Sequence, residues 1–350
     1  MPGVTPPSSV LAMAPQASAL LDVVGKEHDL PAPVRTAAFL GDTLIAATGD
    51  GEIGFIETDA PPRLIRVHDN AILSAAIVPG QQALLTAGDD GLLRKTGRNG
   101  EPETIATSPH WIDSVAASPA GWIAWSSRKT VHLQKLGRGG IDIETVSSCQ
   151  SLAFSPDGSG LAIAQYGGIW LVDLKRRKKR LTTLKWNGAH LRVRWSPNSR
   201  FLVSAMLENE LHVWKVGSDA QGRMGSYPTR PLAFAWSADG HVLATSGADC
   251  IVFWPFAGRD GPIGSSATVS LRSATPVCAI AWHPLSKLVA AGHRDGSILF
   301  FDPAEDEAIL VRRPDGSPAA AMAFSDDGLL FGYGCENGTA GLIPVAGGVR

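Results

Sequence analysis

The stretch SLAFSPDGSGLAIAQYGGIWLVDL, residues 151–174, decides the fold of this chain. It contains three short apolar runs separated by two turns that are rich in Gly, Pro, Asp and Ser. Short apolar runs between such turns are typical of β-strands. Three short strands cannot bury both of their faces alone, so the pattern predicts a repeat whose copies stack on one another.

Eight copies of this unit follow one another at spacings of 37 to 46 residues. Each copy places an aromatic or apolar residue just before its first turn, and these residues are Phe39, Ile77, Ala117, Phe154, Trp195, Trp236, Trp282 and Phe324. A period of about 40 residues with Gly, Pro and Asp at the turns indicates β-propeller blades. Helical solenoids share this period, but the short apolar runs leave no room for two helices of about ten residues each.

The third strands of several copies end in related tetrapeptides, namely WLVD, HVWK, VFWP and LFFD. Together with the SPDG-like turns, they make residues 19–345 similar to the WD-repeat propeller family. The sequence departs from that family at its hydrogen-bonded residues. The family's histidine is matched only by His68, whose repeat has Asp90 but carries Thr96 in place of the family's Trp. We therefore expect Trp195, Trp236 and Trp282 to stabilise the ring by packing between blades.

The predicted fold is all-β, a single propeller of four-stranded blades that spans residues 19–350. Eight blades are favoured, with first strands near residues 34, 72, 112, 150, 190, 231, 276 and 318. Seven blades is the alternative, in which one repeat packs elsewhere and residues 116–130 are the weakest candidate blade. Residues 19–24 are expected to close the ring as the outer strand of the last blade, beside residues 339–345. Residues 1–18 are expected to form a flexible tail.

Composition limits the classes of function. The chain has 350 residues, is 44% hydrophobic and 18% charged, and has a formal net charge of -2, so nucleic acid is not expected as a partner. Its four cysteines are scattered, which favours buried free thiols in a reducing, cytoplasmic compartment. No run of about 18 apolar residues occurs, so no membrane span is expected.

Motifs for catalysis are missing from the sequence. It contains no G-x-S-x-G, no H-E-x-x-H, no G-x-x-x-x-G-K and no G-x-G-x-x-G that opens a helix. His28, His68, His110 and His190 fall in successive loops between blades, and these are about 10 Å or more apart, too far for one metal ion whose bonds to nitrogen are about 2 Å long. We expect no cofactor, no metal and no catalytic residues.

Exposed aromatic and basic residues are predicted on the propeller face that carries the loops between blades. Trp, Tyr and Arg are the residue types that dominate interface energies. The candidate partner-binding residues are His110, Trp111, Arg128, Tyr166, Trp186, His190 and Arg192. Tyr166 and Trp186 are expected to be neighbours. The alternative for Trp111 and Trp186 is that both rings fill the gaps between blades.

A run of six basic residues, KRRKKR, is predicted on the hairpin between the third and fourth strands of the fourth blade. Its members are Lys175, Arg176, Arg177, Lys178, Lys179 and Arg180. Such a run can bind an anionic polymer or lipid, but on an exposed hairpin it more often keeps an outer strand soluble and unpaired.

These observations predict a non-catalytic scaffold that docks a protein or peptide, possibly within a multi-protein complex, on the propeller face. One alternative is a propeller enzyme, a hydrolase or lyase, with its site in the central channel; a cluster of carboxylates with shifted pKa values there would favour it. The other alternative is binding of an anionic polymer or lipid through residues 175–180.

Overall fold

The computed structural model describes residues 18–135, 137–176, 180–270, 272–305 and 308–345, with the backbone alone for Arg180. The predicted tail, residues 1–18, lies outside the described residues apart from Ser18. The predicted fold class is confirmed: the described chain is an all-β propeller of four-stranded antiparallel blades. No helix within these residues is long and apolar enough to cross a membrane.

The described chain opens with a short helix and one strand, α1 (Leu20–Val24) and β1 (Lys26–Asp29). The first three repeats then form three four-stranded sheets in which chain order is also spatial order. Their strands are β2 (Val34–Leu40), β3 (Thr43–Thr48), β4 (Glu52–Ile56), β5 (Arg63–Arg66), β6 (Ile72–Val78), β7 (Ala83–Gly88), β8 (Leu92–Gly97), β9 (Pro102–Thr107), β10 (Ser114–Ala117), β11 (Trp122–Ser127), β12 (Thr130–Lys135) and β13 (Gly140–Glu144). The weakest candidate blade, residues 116–130, thus lies in an ordinary blade.

The fourth and fifth repeats share one continuous sheet of six strands. Its strands are β14 (Ser151–Phe154), β15 (Gly160–Asp173), β16 (Arg180–Trp195), β17 (Phe201–Met206), β18 (Leu211–Lys215) and β19 (Gln221–Met224). The long strand β15 supplies the second and third strands of the fourth repeat. The long strand β16 supplies the fourth strand of that repeat and the first strand of the fifth. Both long strands bend at glycines with positive φ, Gly168 (φ 144°) and Gly188 (φ 123°), a conformation that glycine adopts without steric cost.

The remaining three repeats return to separate four-stranded sheets. Their strands are β20 (Phe234–Trp236), β21 (Val242–Thr245), β22 (Val252–Pro255), β23 (Thr268–Val269), β24 (Val277–Trp282), β25 (Val289–His293), β26 (Ile298–Phe301), β27 (Ala308–Arg312), β28 (Ala319–Phe324), β29 (Leu330–Cys335) and β30 (Thr339–Pro344). The last sheet has the order β1-β30-β29-β28, so its outer strand comes from the start of the described chain.

The number of separate sheets corrects the favoured count of eight blades. The described residues form seven sheets, because the continuous strand β16 pairs with β15 of the fourth repeat and with β17 of the fifth. Seven was the alternative, but its expected cause is wrong, since no repeat is packed elsewhere. The first strand of every one of the eight repeats lines the same central channel.

As expected, a strand from the start of the described chain closes the ring as the outer strand of the last blade. The segment that forms this strand differs from the predicted one. Residues 26–29, not 19–24, form the outer strand of the last blade, with Lys26 opposite Leu342 and Asp29 opposite Thr339. Residues 20–24 form helix α1 instead. Leu20 and Leu21 of this helix pack against the apolar cluster between the last two repeats. Two consecutive leucines on a short helix can both reach that surface.

Hydrogen bonds in the SPDG-like turn explain why the motif recurs. Ser155 Oγ donates to Asp157 Oδ1 at 2.6 Å and accepts the Gly160 backbone N–H at 2.9 Å. The same two bonds recur around Ser237 and Ser325. They satisfy buried polar groups in the turn and set the start of the second strand, which is why Ser and Asp stand two residues apart.

The core of the propeller lies between repeats rather than within one sheet. Eight clusters of buried apolar side chains separate neighbouring repeats around the ring. The expected packing of the tryptophans is seen in part, since Trp195 is buried while Trp236 and Trp282 are half-buried against their clusters. Burial of each large apolar side chain contributes about 1.5–3 kcal/mol, so stability is distributed over all the interfaces.

Cysteines and one buried histidine complete the interior. All four cysteines are free thiols, and burial raises the pKa of Cys149 to about 12. His68 is buried; its Nδ1 donates to Asp90 at 3.0 Å and its Nε2 accepts from Thr86 Oγ1 at 2.9 Å. Thr96 Oγ1, where the family has Trp, is buried without a partner among the described residues. The second repeat therefore keeps most of the family's internal clamp without its last member.

Candidate partner-binding face

The loop face is the ring surface formed by the loops that join one repeat to the next and by the turns between second and third strands. A cavity of about 780 Å³ opens on it between the second and third repeats. We call this cavity the Trp111 pocket. It is lined by Asp89, Asp90, Gly91, Pro109, His110, Trp111, Asp113, Arg128, Lys129, Thr130, Glu144 and Ser148.

The loop before the third repeat holds Trp111 away from the core. Ser108 Oγ accepts the His110 backbone N–H at 3.1 Å and bonds to Ser127 Oγ at 2.9 Å, which ties the loop to the neighbouring turn. Ile112 is fully buried, and its backbone N–H donates to the Gly88 carbonyl at 3.1 Å. Because Ile112 fills the gap between the repeats, Trp111 remains 63% exposed.

Arg128 reaches the Trp111 pocket from the turn between β11 and β12. Its φ of 57° lies in the left-handed region, which fits a turn that is bracketed by the pair Ser127 and Thr130. Arg128 Nη1 lies 3.3 Å from His110 Nε2. Since a guanidinium only donates, His110 Nε2 accepts in this contact. The structure thus brings together three of the predicted residues, His110, Trp111 and Arg128.

Carboxylates outnumber cations in the Trp111 pocket. Asp89, Asp90, Asp113 and Glu144 face Arg128 and Lys129 there. Burial alone would raise the pKa of Asp90, but hydrogen bonds from the Leu92 backbone N–H and from His68 lower it. Asp89 Oδ1 is buried and has no hydrogen-bond donor among the described residues. The pocket therefore offers acceptor groups that a positively charged partner group would satisfy.

Tyr166 and Trp186 lie in adjacent segments on the next part of the loop face, but their rings differ in exposure. Tyr166 is 67% exposed, and its backbone N–H donates to Ser147 Oγ at 3.1 Å. Trp186 is half-buried and stacks on His212 with ring centroids 3.9 Å apart. The His212 ring and the neighbouring cluster thus cover part of Trp186, which fits the alternative that its ring fills the gap between blades.

His190 and Arg192 do not belong to the exposed surface of the loop face. His190 is completely buried; Ser204 Oγ donates to its Nδ1 at 2.7 Å, and its Nε2 donates to the Trp186 carbonyl at 3.0 Å. Burial lowers the pKa of His190, so the neutral ring fits this pair of bonds. Arg192 lines the central channel and donates to the Leu232 carbonyl at 2.8 Å.

Only part of the basic hairpin is described, since residues 177–179 and the side chain of Arg180 lie outside the described residues. Lys175 pairs with Asp157 at 3.6 Å and Arg176 with Asp173 at 3.0 Å. Local carboxylates thus offset the charge of both described cations, which favours the solubility role over a polyanion site.

Asp89 and Asp113 are the pocket residues that the sequence reasoning missed. Asp89 stands beside the Asp90-Gly91 turn and Asp113 follows the buried Ile112, so both positions could have been found from the alignment of repeats. Among the described residues, no group of three or more His, Cys, Asp or Glu side chains is arranged to hold a metal ion.

Comparison with known proteins agrees with this architecture. The family model described as "WD domain, G-beta repeat" matches residues 266–302, which run from the last strand of the sixth repeat to the end of the third strand of the seventh. The crystal structure of the computationally designed Ika8 protein is similar in fold, with a TM-score of 0.75 and 15% identity over 91% of this chain and 98% of that one.

Three curated proteins are similar in sequence over part of the chain. The 77 kDa echinoderm microtubule-associated protein of Lytechinus variegatus is 29% identical over 38% of this chain and 22% of its own length. Cell division cycle 20.1, cofactor of APC complex, of Arabidopsis thaliana is 23% identical over 38% of this chain and 29% of its own length. Periodic tryptophan protein 2 homolog of Dictyostelium discoideum is 20% identical over 69% of this chain and 26% of its own length.

The chain thus spans less than a third of the length of each of these relatives. The repeat period, the ring of four-stranded blades, the family model and the similar sequences all agree. These findings support the WD-repeat β-propeller family as the one that the chain resembles.

Proposed function

We propose that this chain is a non-catalytic scaffold that docks a protein or peptide segment on its loop face, at the Trp111 pocket. The observation that carries the proposal is a rigidly held tryptophan, 63% exposed, at the rim of a cavity of about 780 Å³. An exposed aromatic ring on a stiff loop binds with little ordering cost. Two of the relatives are named as a microtubule-associated protein and a cofactor of a complex, which supports a role in assembly.

The pocket chemistry favours a partner segment with a basic side chain. A Lys or Arg of the partner can lie over the Trp111 ring, where the contact contributes roughly 0.5–2 kcal/mol. The same group can donate to the unpartnered Asp89 Oδ1. His110 and Arg128 line the same pocket and would position the partner backbone by hydrogen bonds. We propose that this interaction takes place in a reducing, cytoplasmic compartment.

The central channel does not favour the enzyme alternative. Asp113 is the one carboxylate among the described residues that line it, and the other charged lining residues are arginines. A hydrolase or lyase needs at least an acid and a base held close together, so a single carboxylate supports no such site.

The test compares tagged wild-type protein with two variants in a pull-down from native cells. Trp111→Ala removes the ring from the loop face. Leu285→Ala removes an apolar side chain that is 71% exposed in a turn on the opposite face, and it serves as the matched control. We expect wild type and Leu285→Ala to capture the same stoichiometric partner, and Trp111→Ala to lose it.

Titration with the purified partner then measures the loss. We expect Trp111→Ala to weaken binding at least tenfold and Leu285→Ala to leave affinity unchanged. Capture of the same partner by Trp111→Ala with unchanged affinity would show that the pocket is not the docking site. Absence of any stoichiometric partner of the wild type would argue against the scaffold itself.

A further inference from the structure

The central channel carries positive charge that the scaffold function does not use. It is a cavity of about 850 Å³ to which the first strand of every repeat contributes. Its charged lining residues are Arg35 from the first repeat, Asp113 from the third, and Arg192 and Arg194 from the fifth. Small-molecule sites in proteins have volumes of roughly 300–1,000 Å³, so the channel is large enough to hold one.

Arg194 stands where every other repeat has alanine. It immediately precedes the aromatic or apolar residue at the end of the first strand. The seven equivalent residues are Ala38, Ala76, Ala116, Ala153, Ala235, Ala281 and Ala323. A methyl group is therefore sufficient for packing at this position, and the packing of the ring alone gives no reason for a guanidinium there.

The guanidinium groups in the channel have few partners. Arg192 donates to the Leu232 carbonyl, and Arg194 Nη1 donates to the Val193 carbonyl at 3.0 Å. Among the described residues, none of the ion pairs includes Arg35, Arg192 or Arg194. A guanidinium has five N–H donors, so most of the donors of Arg194 remain available to a ligand.

Electrostatics oppose this arrangement in the absence of an anion. Burial and, next, the positive charge of Arg192 lower the pKa of Arg194 to about 10. A guanidinium remains protonated at neutral pH, so both side chains carry a positive charge. Two like charges that share a confined cavity repel each other. Asp113, whose pKa is raised by burial, is the one described carboxylate in the channel, and it cannot offset three arginines.

The arginines also surround the cavity from opposite sides. The first and fifth repeats are four apart in a ring of eight repeats, so Arg35 lies across the channel from Arg192 and Arg194. A planar carboxylate directs its two oxygens to one side. A chain of phosphate groups directs oxygens outward in several directions, and each group can accept paired hydrogen bonds from a guanidinium.

We propose that the central channel is a binding site for a small anion with two or more phosphate groups, held by Arg194 and Arg192 on one side and by Arg35 on the other. The site shares Asp113 with the lining of the Trp111 pocket, but none of its three arginines lines that pocket, and it does not depend on the proposed docking of a protein. Arg192 also links the fifth repeat to the sixth through Leu232, whereas Arg194 has no such structural bond and is the residue to test.

The experiment is isothermal titration of the full chain with tripolyphosphate at pH 7 in low salt. Arg194→Ala is the informative variant, because it restores the alanine of the other seven repeats, and circular dichroism should show an unchanged fold. Arg138→Ala is the matched control; it removes an exposed arginine from a hairpin outside the channel. If Arg194→Ala does not fold, Arg194→Gln replaces it.

We expect one tripolyphosphate per wild-type chain, at least tenfold weaker binding by the Arg194 variant, and unchanged binding by Arg138→Ala. Citrate, a multivalent carboxylate, should bind at least tenfold more weakly than tripolyphosphate to the wild type. No binding by the wild type, or equal weakening by both variants, would overturn the site. Equal affinity for citrate would overturn the assignment to phosphate.

Discussion

Two regions between neighbouring repeats carry the same residue types and use them in opposite ways. One comprises His110, Trp111 and Arg128 between the second and third repeats; the other comprises Trp186, His190 and Arg192 between the fourth and fifth. In the first region, Trp111 is exposed and Arg128 faces the imidazole of His110. In the second, Trp186 is covered by His212, and His190 is completely buried.

The difference depends on which residue fills the gap between neighbouring repeats. In the first region, the apolar Ile112 fills it, so the tryptophan beside it stays in solvent. In the second, His190 occupies the interior and bonds to the Trp186 carbonyl, which draws the tryptophan segment inward. A Trp, a His and an Arg in a loop therefore indicate a binding surface only where another side chain completes the core.

The largest expected effect is the difference in free energy of unfolding between variants of the two tryptophans. Trp186→Ala removes a stacked, half-buried ring and should lower the free energy of unfolding by about 3 kcal/mol, while Trp111→Ala should change it by less than about 0.5 kcal/mol. Urea denaturation followed by circular dichroism measures both. Equal losses for the two variants would contradict the distinction between a core and a surface tryptophan.

Replacement of His190 should lower the free energy of unfolding more than replacement of His110, but this difference should be smaller than that between the two tryptophans. His190→Ala leaves Ser204 Oγ and the Trp186 carbonyl without their buried partner, so we expect a loss of about 2 kcal/mol. His110→Ala serves as the surface control and should cost less than about 0.5 kcal/mol. The same urea denaturation assay measures both losses. An unchanged free energy of unfolding for His190→Ala would show that these hydrogen bonds contribute little.

The buried histidines should also make stability depend on pH. Burial lowers the pKa of His212 from 6.5 to about 4, although the bond to Gln221 opposes the shift. Its neutral form stabilises the fold fully above pH 6.5, and this contribution is lost as the pH falls through 6.5 toward 4. Between pH 6.5 and about 5, wild type should lose about 1 kcal/mol more than His212→Gln.

Denaturation curves of wild type and His212→Gln at several pH values provide the measurement. The carboxylates are common to both proteins, so their contribution cancels in the difference. A difference that is constant over this pH range would mean that His212 titrates normally in the folded protein.

The smallest expected effect concerns Arg128. Its left-handed φ of 57° suits glycine, so Arg128→Gly should leave stability unchanged or raise it by about 0.5 kcal/mol. If the Trp111 pocket docks the partner, the same variant should weaken partner binding, because it removes the contact with His110. A clear loss of stability would show that the guanidinium supports the fold rather than a binding surface.

The sequence by itself determined the class of fold, the period of the repeat and the eight first strands. Alternation of apolar residues and the chemistry of short turns act over a few residues, so each copy reports them locally. The same local reasoning predicted Trp111 and Arg128 on the loop face, since the turn and the loop on which they lie are defined by neighbouring residues.

Only the tertiary structure decided how the repeats meet. Fusion of two repeats into one sheet needs β16 to pair with both β15 and β17, and ring closure by Lys26–Asp29 needs β1 to meet β30, about 310 residues away in the chain. The partial burial of Trp186 by His212, the hydrogen bond of the buried His190 to Ser204 and the bond of Arg192 to the Leu232 carbonyl all depend on residues from other segments of the chain. Such contacts join residues that are distant in sequence, and no local pattern records them.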